Sequence, residues 1–343
     1  MKKWGLALML FAILAAPALA CGFPLPAGTS MMAVSKAVCA NGEAAESCQL
    51  RQDAFQMMGK LQSAAISDMA VDLYIDDGTE ITALNATGSY EYQVIDSEIG
   101  LGANIRASLD DGQITSEDGE QSVGGTMFVV VGDKGYTSTD GGQTWTYEEL
   151  DDSTILGLGF LLGLSGTTGT GMDLYSDPAI FTVTAGPDAE IDGQTMYVQT
   201  LTFDLQALLS NADAITAMME QSGEAMDQLD LDPAELGDPA QLAMLAVFLL
   251  PAFEGTEITT TLYIGADDGY IHRVEENFVL KIDSSAMAFG SEDEEPMVMT
   301  MSYQLSGNLA QFNAPLAISA PADAVEGAGL LGGSGLGGNL FGQ

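Results

Sequence analysis

The chain has 343 residues, 47% of them hydrophobic, which suits one large core or two modest domains and argues against a disordered polymer. Its 49 acidic residues against 9 basic ones give a formal net charge of −40. That balance excludes nucleic acid as a partner, since binding it needs a basic footprint, and it opposes adhesion to anionic head groups.

Residues 1–20 read as a bacterial-type signal peptide. Lys2 and Lys3 form a short positive start, residues 4–16 are apolar and uncharged, and Ala18 and Ala20 are the small residues a signal peptidase reads. The apolar run is shorter than the ~20 residues needed to span a bilayer core. Export is therefore expected, with the mature chain starting at or near Cys21. Bacterial lipoproteins place a cysteine at this point, but Leu19 sits one position too late for their usual box, and the same residues suit ordinary cleavage. Thiol parity favours the anchor. The chain has three cysteines, and exported thiols are expected to pair. If Cys21 carries lipid such as palmitate, Cys39 and Cys48 remain to form a disulfide. If it does not, Cys21 takes one of them and leaves the other free.

Residues 21–46, with Pro24, Pro26 and Gly28, read as a tether crossed by that disulfide clip. Residues 47–65 read as a helix, because Leu50, Phe55, Met58, Leu61 and Ala65 recur at three- to five-residue steps. From residue 68 the period changes to two, with Met69, Val71, Leu73 and Ile75 on one face. Asp77 and Gly78 then mark a hairpin turn. Further alternating runs fall at 80–84, 89–94, 105–109 (before a turn at Asp111 and Gly112), 127–131, 145–147, 180–184, 196–203, 258–264, 270–282 and 298–305. The expected fold is α+β but mostly β, an antiparallel sheet of about nine to twelve strands.

Two inserts break this meander. Residues 153–172 contain a glycine-broken apolar run that includes Leu156, Phe160, Leu161 and Leu162. Residues 205–253 read as two helices. The second is apolar nearly all round, with Leu242, Met244, Leu245, Phe248 and Leu249, and a helix of that kind must be buried. Residues 326–343 read as a flexible Gly-rich tail.

Catalytic signals are sparse. The single histidine, His272, falls in an alternating run after a turn and reads as an ordinary sheet residue. Three arginines (Arg51, Arg106 and Arg273) and no zinc-spaced cysteines leave no expected catalytic residue, metal or cofactor. Ser138, Asp140, Gly142, Thr144 and Trp145 match one Asp-box, a motif of sialidase-like propellers. It occurs once, where a propeller would repeat it, and so reads as a stable hairpin. The acidic run at 227–238 lacks calcium-loop spacing and reads as a solvated linker. The 18 methionines, many of them in the inserts and last strands, suit an adaptable apolar lining.

Several segments resemble the lipoprotein-carrier superfamily, meaning LolA/LolB-like proteins and LppX/LprG-type envelope lipoproteins. Residues 49–63 resemble its first helix, followed by a strand at 69–75. Residues 132–136, ending in Tyr136, and the later Trp145 resemble its tyrosine-then-tryptophan hairpin. Residues 263–274 resemble a strand turn of the family. Residues 312–315 and 320–323 resemble its closing phenylalanine–proline strand. The resemblance implies a single domain over 47–325, folded as a curved half-barrel with helices closing an apolar cavity.

The function implied is a non-enzymatic carrier or binder of lipid or acyl chains. It would be monomeric, held to a membrane of the cell envelope by an N-terminal lipid anchor, and facing the periplasm or exterior. Leu156, Phe160, Leu161, Leu162, Leu242, Met244, Leu245, Phe248 and Leu249 would line the cavity. Two alternatives remain: a structural or sensory surface lipoprotein with a filled core, and an exported Asp-box-type glycoside hydrolase. The hydrolase reading requires an arginine cluster.

Overall fold

The computed structural model describes residues 39–327, apart from 41, 77, 79–80, 96–101, 117–118, 151–179, 205, 208–255 and 284–297. The expected signal peptide, Cys21, both inserts and the Gly-rich tail beyond residue 327 lie outside the described residues.

Among the described residues, the helix α1 (Ala45–Met58) precedes fourteen strands. They are β1 (Ser63–Asp76), β2 (Ile81–Val94), β3 (Ala103–Ser116), β4 (Gly119–Ser122), β5 (Thr126–Val131), β6 (Lys134–Ser138), β7 (Thr146–Glu149), β8 (Phe181–Ala185), β9 (Ala189–Ile191), β10 (Gln194–Phe203), β11 (Glu257–Gly265), β12 (Ile271–Asp283), β13 (Val298–Ala310) and β14 (Val325–Glu326). All belong to one sheet, in the order β14-β7-β6-β5-β3-β2-β1-β13-β12-β11-β10-β8, with β4 on β3 and β9 on β10. Every pairing is antiparallel except β14 with β7. The sheet is open and curled, as a half-barrel. The count exceeds twelve because β4, β9 and β14 are short pieces that carry little alternation.

The curl has a local cause. β1, β2 and β3 are each 14 residues long, far above the usual five or six, and a twisted open sheet of this many strands curls. A line of β-bulges supplies the bend. β1 gains one residue between Ile66 and Met69, with Asp68 at a φ of 50°. β3 gains one residue at Asp110, facing the step between Thr87 and Gly88 of β2. On the other side of β1, the same irregularity faces β13 around Gly307, and β12 bulges at His272. The line therefore crosses β3, β2, β1, β13 and β12 as a crease. Two glycines let the backbones close on it. A Cβ on Gly88 would collide with the Ser108 carbonyl, and one on Gly307 would come within 2.6 Å of Ile66 Cγ2.

The Asp111 and Gly112 pair, expected to be a turn, lies inside β3 just past its bulge. The alternation resumes on the other parity there, which in the sequence looks like a strand end.

The inner face holds one core cluster, including Met69, Val71, Tyr90, Ile105, Phe128, Leu262, Val274 and Leu305. Ala54, Phe55 and Met58 of α1 pack into it. The helix ends at Met58, earlier than its apolar spacing predicts. Leu61 and Ala65 are buried, but as part of the connection and β1. There the Gln62 N–H donates to Asn313 Oδ1 (2.7 Å) and Ser63 pairs with Gln93, so sheet formation overrides the helical period.

Residues 311–324 run as an extended strap rather than as a closing strand, from the main core at Phe312 onto the outer face at Ile318. Phe312 stacks on Tyr270 at 4.5 Å. Arg106 on β3 donates to the Ala317 carbonyl at 2.9 Å, and Ile318 packs on Val129 and Tyr136. The strap ends by pairing Val325 with Thr146 of β7.

Candidate functional site

Inward-facing residues of neighbouring strands form rows across the sheet. Along the crease, where Gln199 meets α1, lies the row Gln199, Leu262, Val274 and Gly307. Gln199 meets the helix there: its Nε2 donates to the Ser47 carbonyl (2.9 Å), and Arg51 donates to its Oε1 (3.3 Å). The next row out is Leu201, Thr260, Glu276, Leu305, Val71 and Ala86. Beyond it come Phe203, Ile258, Phe278, Tyr303, Leu73 and Leu84, and then Leu280, Met301 and Ile75.

Burial falls along these rows. Leu262 and Val274 are sealed, as are Val71, Ala86 and Leu305. In the next row Tyr303 and Leu84 stay buried while Phe203, Ile258, Phe278 and Leu73 are only half-buried, and Leu280, Met301 and Ile75 beyond them are half-buried too. Among the described residues the inner face is thus sealed under α1 and, toward the opposite strand ends, apolar but only partly buried.

Glu276 stands at the boundary. It occupies the same parity as Val274 and Phe278, both of which pack on the core, so its side chain points to the inner face. It is 9% exposed. Among the described residues its Oε2 has no hydrogen-bond partner. Burial alone pushes its carboxyl up to about 7. The sequence reading missed this residue. The available signal was parity, because residues 274, 276, 278 and 280 read Val, Glu, Phe, Leu and an acid interrupts an otherwise apolar face.

No described basic side chain serves Glu276. Arg51 is committed to Glu43 and Gln199. Arg106 pairs with Glu91, and Arg273 with Glu275 on the outer face. Lys134 lies over the Tyr147 ring, and Lys60 and Lys281 are exposed.

The same assignments bear on hydrolysis. Arg106 on β3 and Arg273 on β12 are four strand spacings apart, about 19 Å. Arg51 is buried under the helix. The three arginines therefore form no cluster. His272 is held by Asp268 (2.9 Å) and meets the edge of Phe312, a structural role at the end of β12.

The Asp-box is a turn. Asp140 Oδ1 accepts from the Gln143 and Thr144 N–H groups (2.9 Å each) and from Ser138 Oγ (2.8 Å), while its Oδ2 accepts from Thr144 Oγ1 (2.6 Å). Trp145 Nε1 closes the turn on the Gly142 carbonyl (2.9 Å). The Thr144 hydroxyl first, then the Thr144 N–H and Ser138, hold the Asp140 carboxyl at about 2 against an ordinary 3.8. Its stabilising effect is thus present above pH 4 and lost as pH falls through about 2. An NMR titration of the Gln143 and Thr144 amides should show a midpoint near 2. A midpoint near 4 would mean that the turn does not hold the carboxylate.

Of the sequence-predicted sites, Cys39 and Cys48 are joined as a disulfide, with Cα atoms 5.3 Å apart. Cys21 and the nine apolar candidates Leu156, Phe160, Leu161, Leu162, Leu242, Met244, Leu245, Phe248 and Leu249 lie outside the described residues. Among the described residues, no helix is long and apolar enough to cross a membrane.

No family model matches the chain, and no curated protein does. Solved structures do. LprF from Mycobacterium bovis is 15% identical over 81% of this chain and 98% of its own, with a TM-score of 0.37. The Mycobacterium tuberculosis lipoprotein LppX is 13% identical over 79% and 97%, with a TM-score of 0.29. An outer membrane lipoprotein-sorting protein domain from Vibrio parahaemolyticus is 9% identical over 78% and 92%, with a TM-score of 0.23.

Proposed function

We propose that this protein is an exported lipoprotein, anchored through Cys21, that binds or carries lipid or acyl chains on the inner face of its sheet. The observation that carries the reading is the fall in burial along that face. A filled core would seal its apolar residues throughout, but here burial becomes incomplete two rows past α1: Tyr303 and Leu84 stay buried in that row, while Phe203, Phe278 and Leu73, and then Met301, continue the face half-buried. A continuous apolar surface of this kind inside a curled sheet is what an acyl chain needs, and it requires no catalytic group. In this reading the apolar runs at 155–164 and 242–250 add to the lining, and the protein acts as a monomer.

Native mass spectrometry of the purified protein, with lipid extraction, tests the proposal. Acyl-bearing species should co-purify or load from lipid mixtures. Phe278→Asp should cut loading by about tenfold, since a charge on an apolar wall is costly to desolvate, while the far-ultraviolet spectrum stays unchanged. No bound acyl species, even after loading, would favour the ligand-free structural lipoprotein instead. Cys21→Ser should release the protein from membranes, and a Cys21→Ser protein that stays membrane-bound would overturn the anchor.

A further inference from the structure

We infer that Glu276 is the polar end of this site and that it selects chain-bearing ligands whose head is a hydrogen-bond donor, hydroxyl or ammonium, over those with a carboxylate or phosphate head. The inference rests on the lipid-binding reading and goes beyond it to the class of ligand.

Three observations carry it. First, the Glu276 side chain is on the inner face, nine-tenths buried, with Oε2 unpartnered among the described residues. A buried carboxyl oxygen of this kind is costly unless something donates to it, and its cross-strand neighbours on that face are Thr260 and Leu305. Second, the group sits where the sealed part of the face gives way to half-buried Phe278 and Leu73. A ligand that lays its chain along the outer rows would bring its head to Glu276. Third, among the described residues no cation faces this point. The Arg51–Glu43 pair lies one row away and is mutually neutralised, and Arg273, Glu275 and Lys281 of β12 are on the other parity. β13 and β1 present Leu305, Tyr303, Val71 and Leu73 there, while their Gln304 and Asp72 point to the outer face. An anionic head would meet a carboxyl and no counter-charge, whereas a hydroxyl or ammonium would supply the missing donor.

Delipidated full-length protein, titrated calorimetrically with dodecanol, dodecylamine and dodecanoate at pH 7.5, tests the inference, the three probes differing only in the head group. Dodecanol and dodecylamine should bind about tenfold or more tightly than dodecanoate, as expected for one charge-assisted hydrogen bond. Glu276→Gln should weaken dodecylamine by about tenfold, leave dodecanol within a few-fold, and narrow the gap to dodecanoate. Glu276→Leu should remove the preference altogether, and it serves as the second variant should the amide rebuild a polar contact. Equal binding of all three probes, or an unchanged amine preference in both variants, overturns the inference while leaving lipid binding intact. Failure of every probe to bind overturns both readings.

Discussion

Glu43→Gln should cost the fold roughly 3–5 kcal/mol, because it leaves the Arg51 guanidinium buried without its counter-charge. The side chain of Arg51 is 0% exposed and that of Glu43 2%. The two guanidinium nitrogens each reach one carboxylate oxygen, Nη2 donating to Oε2 at 2.8 Å. The same carboxylate accepts from Ser47 Oγ (2.9 Å) and the Ala40 N–H (3.0 Å). Burial by itself raises the Glu43 pKa, but hydrogen bonds from Arg51 and Ser47 and the Arg51 charge outweigh it and hold the group below its ordinary 4.5. The pair's contribution is therefore present above that value and lost as pH falls through the lowered one.

Through Gln199 this network fastens α1 to β10, while the Cys39–Cys48 disulfide fastens the preceding segment to α1. Loss of the charge should lower the melting temperature by roughly 10 °C for a domain of this size. The double variant Glu43→Leu/Arg51→Met should recover most of the loss, since an apolar pair leaves no charge buried. A single variant that melts within 2 °C of the parent, a shift of about 1 kcal/mol or less, would show the pair to be solvated.

The sequence revealed more of the sheet than of the site. Alternation from Met69 to Ile75 and in residues 270–282 located β1 and β12, because a half-buried antiparallel strand writes its two faces directly into the chain. It could not reveal the crease. A bulge shifts parity by one residue, so Asp111 and Gly112 looked like a turn when they continue a strand, and the alignment of Asp110, Gly88, Asp68 and Gly307 exists only across strands. Helical spacing over Leu50–Ala65 mixed two causes: Phe55 and Met58 are buried by α1, and Leu61 and Ala65 by the connection and the sheet. Glu276 was legible as a parity violation, but its meaning depends on what faces it from β11 and β13, which local pattern does not contain. Arg51 read only as part of a helix, because its partner Gln199 lies 148 residues away.

Glu276 should also make the protein less stable in mild alkali than in mild acid. Its folded pKa is about 7 against an ordinary 4.5, and the sole cause is desolvation. Below pH 4.5 the group is protonated in both states and costs nothing. Between 4.5 and 7 the unfolded chain ionises while the folded one stays protonated, so stability declines. Above 7 the decline is complete, at about 3 kcal/mol for a displacement of this size. Glu276→Gln should remove the slope. Its stability from denaturant midpoints should match the parent within about 1 kcal/mol at pH 4.5 and exceed it by about 3 kcal/mol at pH 8.5. Parallel profiles for parent and variant would show that the carboxyl is solvated in the folded state. Asp140 titrates near 2 and Glu43 below its ordinary value, so neither contributes to this window. A donor-headed ligand should flatten the same slope in the parent, because a ligand that binds the ionised folded state stabilises it most where the buried charge lacks a partner. An anionic ligand should not. Stability measured against pH, with and without dodecylamine, thus reads the same carboxyl from the folding side that calorimetry reads from the binding side.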